Sequence, residues 1–117
     1  MKNIKHHAII VTCNDKESLA LIRIEVLRLY KSTMEAKNGH QLVSPIIDSL
    51  INKFCSFFIA PDGSKEGYDA SDDGDKVRKK IIEFLNSLAE PNGSNPIKFV
   101  EVFFGSDEGL AAVEANN

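Results

Sequence analysis

The order in which short apolar runs alternate with helical stripes constrains this chain most. Between His6 and Cys13 lies Ala8-Ile9-Ile10-Val11, a continuous and mostly β-branched run. Such a run suits a strand covered on both faces. Asn14 follows, with Glu17 three places on, the spacing of a capping box, so a helix is expected from about Asp15 to Ala36. Its residues Leu19, Ile22, Val26, Leu29 and Tyr30 hold one apolar stripe, while Leu21, Ile24 and Leu27 lie off its centre. A helix apolar on two sides is either covered twice or packed against another copy of the chain, and the second option predicts a homo-oligomer through Leu21, Ile24 and Leu27.

Lys37-Asn38-Gly39 reads as a helix stop with Gly39 in the left-handed conformation. His40 to Ile47 is then extended, and Pro45 assigns it to a sheet edge because proline cannot donate to a ladder. Asp48 to Lys53 connects it to a strand over Phe54 to Ala60, with Phe57 and Phe58 expected in the core. A loop from Pro61 to Ala70 leads to a second helix, about Asp73 to Ala89, capped by Ser71 or Asp72. Val77, Ile81, Phe84, Leu85 and Leu88 form its inner stripe, and Lys76, Arg78, Lys79, Lys80, Glu83 and Asn86 are expected to face out. After a loop over 91–96, Ile97 to Phe104 is the last strand, and residues 110–117 are expected to be a tail with at most a frayed helical turn. The order β-α-β-β-α-β predicts a single α+β domain over residues 1–117. Its form is a ferredoxin-like, four-stranded, mainly antiparallel sheet with two helices on one face.

At 117 residues, 43% of them hydrophobic, the chain can bury one ordinary core. A formal charge of -3 gives no general attraction to phosphate backbones, which disfavours nucleic acid as a partner. The apolar part of the N-terminal stretch is too short for a membrane span or a signal peptide, so no membrane partner and a cytoplasmic location are expected. Cys13 and Cys55, each inside an apolar run, read as buried thiols of a reducing compartment.

The stretch Ser56 to Arg78 breaks from an apolar run into a segment dense in Gly, Asp, Ser and Lys, and is the expected site. Its acidic run from Asp69 to Asp75 matches the start of a calcium loop, but Lys80 stands where the bidentate Glu belongs, so no metal is assigned. The acids fit a helix N-terminus whose dipole they complement. Dinucleotide, P-loop, hydrolase-elbow and zinc-protease patterns are all missing, and no catalytic residue or cofactor is assigned. In the expected topology the first strand's start, the third strand's end and the last strand's end share one end of the sheet. That arrangement brings His7, Lys65, Tyr68 and Ser106 together, and with Ser64 and Arg78 these are the expected ligand contacts.

HHAIIVT near the start, SFFIAPDGSKEGYDASDDGDKVRKKIIEFL, and KFVEVFFG after it resemble a family of small proteins carried by bacteriophages and prophages. The resemblance covers most of the chain, its most specific part being the PDGSKEG loop, and it brings no activity to transfer residue by residue. It implies a phage accessory protein that sequesters a small nucleotide-derived signal of the host without turnover, the loop closing over the ligand. Two alternatives stand beside it: a module inhibiting a host protein through Asp69, Asp72 and Asp73, and a nucleotide phosphodiesterase or hydrolase using His7.

Overall fold

A computed structural model describes residues 4–34, 38–65, 67–105 and 109–117. The elements run β1 (His6–Cys13), α1 (Lys16–Met34), a 3₁₀ turn (Gly39–Leu42), β2 (Ile47–Asp48), β3 (Cys55–Ile59), α2 (Asp69–Ser87), β4 (Lys98–Phe104) and β5 (Ala112–Asn116). They make an α+β fold with one five-stranded sheet in the order β2-β3-β1-β4-β5, and every ladder is antiparallel. The expected count of four strands is therefore one short. Residues 112–116 are not a frayed helical turn but an edge strand on β4, because Ala112, Val113 and Ala115 find ladder partners in Phe103, Val102 and Glu101.

Strand alternation divides the sheet into two unlike faces. Ile9, Val11 and Cys13 of β1, Cys55, Phe57 and Ile59 of β3, and Phe99 of β4 point to the helices and are buried. Leu19, Ile22, Val26 and Tyr30 of α1, with Val77, Ile81 and Leu85 of α2, complete the same core. Both cysteines are buried free thiols, as the sequence implies. Among the described residues no helix covers the other face, so Ile10 and Phe58 are exposed rather than covered as expected. The apolar run that predicts two-sided burial reports instead one buried face and one apolar open face.

Local signals were shifted more often than wrong in kind. The cap of α1 is Asp15 rather than Asn14: its carboxylate accepts from the Glu17 amide at 3.2 Å and the Ser18 hydroxyl at 2.7 Å, and its carbonyl accepts from Leu19. The expected end of α1 near Ala36 lies outside the described residues. Asn38, not Gly39, takes the left-handed conformation, with φ 53°. Gly39–Leu42 is a 3₁₀ turn, so the extended stretch before β3 is shorter than expected, although β2 does occupy an edge. The α2 helix starts at Asp69, four residues before the expected position, because its first turns bury the small residues Ser71 and Gly74 instead of large apolar ones. On that same inner face, Arg78 is buried, contrary to its expected outward position. Among the described residues no helix is long and apolar enough to cross a membrane.

Candidate functional site

β4 carries Phe99, Glu101 and Phe103 in phase, so Glu101 occupies an inward position beneath α2 and is buried. A carboxylate there requires a partner, since an isolated buried charge costs several kcal/mol. Arg78 supplies it: Nε lies 3.5 Å from Glu101 Oε2, one terminal nitrogen lies 3.4 Å from Asp62 Oδ2, and the other donates to Asp75 Oδ1 at 2.5 Å. Asp62 is fixed in turn by the amide and hydroxyl of Ser64, at 2.9 and 2.6 Å. One guanidinium thus ties the loop after β3, the start of α2 and the middle of β4 together.

His7 enters from β1, two residues before Ile9, which pairs with Glu101. Its Nδ1 is buried without a hydrogen-bond partner and stands 3.9 Å from Glu101 Oε2. Burial, and then the Arg78 cation, hold the His7 imidazole below its ordinary value, so it is neutral near pH 7. Burial raises the Glu101 carboxyl above the usual range, outweighing the opposing effect of Arg78, with Glu114 and Asp75 adding to the rise. Burial would also raise Asp62, but the two Ser64 bonds and Arg78 outweigh it and lower that carboxyl instead. Neighbouring carboxylates are therefore pushed in opposite directions by their surroundings.

His7, Ser64, Asp75, Arg78 and Glu101 line a cavity of about 660 Å³ between α2 and the β1, β4 and β5 side of the sheet. Carboxylates reach it from Asp72, Asp75, Glu83, Glu101 and Glu114, and cations from Lys5, Arg78 and Lys79. Glu114 enters through a β-bulge: Val102 pairs with Val113 and Glu101 with Ala115, leaving residue 114 unpaired in between. Lys5 is held over the Phe103 ring, its Nζ 4.1 Å from the centroid.

Of the expected ligand contacts, His7, Ser64 and Arg78 meet at this cavity. Lys65 and Tyr68 do not line it. Lys65 bridges to Ile4, and Tyr68 is the exposed residue preceding α2. Ser106 lies outside the described residues. Asp69 and Asp72 stand in the first turn of α2, a helix N-terminus rather than an acidic loop. The sequence reading missed Glu101 and Glu114. The first was detectable as a carboxylate in phase with Phe99; the second depends on a bulge that leaves no mark in composition. No protein-family model matches this chain, and comparison with curated proteins finds no match.

Proposed function

We propose that the protein binds and sequesters a small nucleotide-derived ligand in this cavity, as a phage-type accessory protein acting in the host cytoplasm on a ferredoxin-like core. The observation that carries the reading is the His7–Glu101–Arg78 arrangement: a neutral imidazole and a buried carboxylate beside a cavity of small-molecule size. Base edges rich in N–H groups suit acceptors such as Glu101 and Glu114, and a phosphate suits Lys5 and Lys79. Because five carboxylates face three cations, a ligand with one shielded phosphate, such as a cyclic monophosphate, is favoured over a polyphosphate. Arg78, engaged by three carboxylates, is a positioning residue and not a free anion receptor.

Thermal unfolding against cyclic nucleotides, ADP-ribose derivatives and ordinary nucleotides tests this. At a thousandfold excess over Kd, a ligand adds about 4 kcal/mol, a rise in Tm of roughly fifteen degrees. The Lys5→Ala and Lys79→Ala variants should each weaken binding by roughly tenfold. A flat panel would reject the reading and favour inhibition of a host protein through the acidic start of α2. A second reading, hydrolysis, is favoured by the carboxylate beside His7 Nδ1. Chromatography of the bound ligand separates the two: recovery intact supports sequestration, and cleavage lost in His7→Ala supports turnover.

A further inference from the structure

The open face of the sheet is a surface that the proposed site does not use. Along it lie His6, Ala8, Ile10 and Thr12 of β1, Ser56 and Phe58 of β3, Lys98, Val100, Val102 and Phe104 of β4, and Val113 of β5. Ile47 of β2 joins them, since it pairs with Ser56. Lys98 is the one charged side chain among these described residues, in a chain that is 26% charged. Ile10, Phe58, Phe104 and Val113 remain 45%, 42%, 43% and 57% exposed.

We infer that this face packs against the same face of a second copy, with the two-fold axis lying between the sheets along β1. Registry argues for the second copy as occupant. Ile10 pairs with Phe58 on one side and with Val100 on the other, at the same level. Rotation about an axis along β1 therefore carries Phe58 of one copy over Val100 of the other. Val100 lines a groove of about 450 Å³ with Ile10, Val113 and Asn116, so a ridge of each copy meets a groove of its mate. Charge agrees: two chains of formal charge -3 repel over most of their surfaces, but these faces bring no carboxylates together. The two Lys98 Cα atoms fall about 14 Å apart, from strand spacings of ~4.8 Å and sheets ~10 Å apart, beyond the Debye length of about 8 Å. The strands cover roughly 440 Å² per copy at ~4.8 by ~3.4 Å per residue. Two such faces, with their side-chain relief, reach the ~1,000 Å² of a specific interface.

This dimer differs from one built on Leu21, Ile24 and Leu27 of α1. Leu27 is half-buried against the core, while Leu21 and Ile24 are exposed. Sedimentation velocity on the full chain and on Phe58→Glu, Val100→Glu and Leu21→Glu distinguishes them, with circular dichroism confirming that each variant is folded. The expected result is twice the 12.9 kDa chain mass for the wild type and Leu21→Glu, and the single mass for Phe58→Glu and Val100→Glu. A monomeric wild type, or a dimer lost in Leu21→Glu and kept in Phe58→Glu, would overturn the inference.

Discussion

At the scale of single residues, the site is held by what surrounds Arg78, and Gly74 is the tightest constraint on it. A Cβ at position 74 would lie 2.3 Å from Asp62 Oδ2 and 3.1 Å from a terminal nitrogen of Arg78. In an open helix position Gly→Ala gains about 1 kcal/mol. Here the carboxylate it displaces is pinned by Ser64 and Arg78, so Gly74→Ala should instead destabilise by about 1–2 kcal/mol in urea unfolding. His7 gives a second prediction, through pH. Its folded value is depressed below 6.5, so the unfolded chain takes up the proton first, and stability falls as pH drops through 6.5 toward the depressed value. Glu101 acts in the opposite sense: raised above 4.5 when folded, it loses stability as pH rises through the raised value. His7→Gln should remove the decline below pH 6.5 and leave stability that increases as pH falls toward 4.5. Urea midpoints measured at intervals across that range check both signs.

Between residues and the whole lie the elements, whose kinds and order from β1 to β4 are legible in the sequence because large apolar side chains carry their own periods. What could not be read was carried by small or polar residues. The first turn of α2 was hidden because Ser71 and Gly74, rather than Leu or Ile, face inward there. Arg78 was misplaced for the same reason, since a stripe argument assigns every cation to solvent and cannot see three waiting carboxylates. Half of the expected ligand set, His7, Ser64 and Arg78, does meet, because β-α-β-β-α-β order alone brings those chain segments to one end. β5 was invisible because its residues are all exposed or half-buried, with no apolar alternation to mark it. Its stability rests on hydrogen bonds: Asn117 Nδ2 donates to the Ile97 carbonyl at 2.6 Å, and the Phe99 amide donates to Asn117 Oδ1 at 3.0 Å. Asn117→Ala removes both and should cost about 1–2 kcal/mol. Hydrogen exchange should show Phe99 losing protection while the Ile10 and Phe58 amides keep theirs.

For the whole molecule, the topology sets how the chain assembles. β1, the first strand made, sits at the centre of the sheet and pairs with β3 and β4, so Ile9 must find Ile59 and Glu101 across most of the sequence. Closing such long loops before any ladder forms is slow, and refolding is expected in about milliseconds to seconds rather than microseconds. Stopped-flow refolding from urea measures it. A microsecond phase accounting for the full amplitude would mean that α1 and α2 alone carry the stability.

The bulge at Glu114 also bears on how such a protein changes over generations. β5 supplies a wall of the cavity yet contributes no residue to the buried core. The proposed function implies that substitutions in β5 redraw what the cavity accepts while the interior that keeps the chain folded is left untouched. On that reading a lineage explores new specificities along this strand at small risk to foldability, while the same search within β1 or β4 puts the core itself at stake.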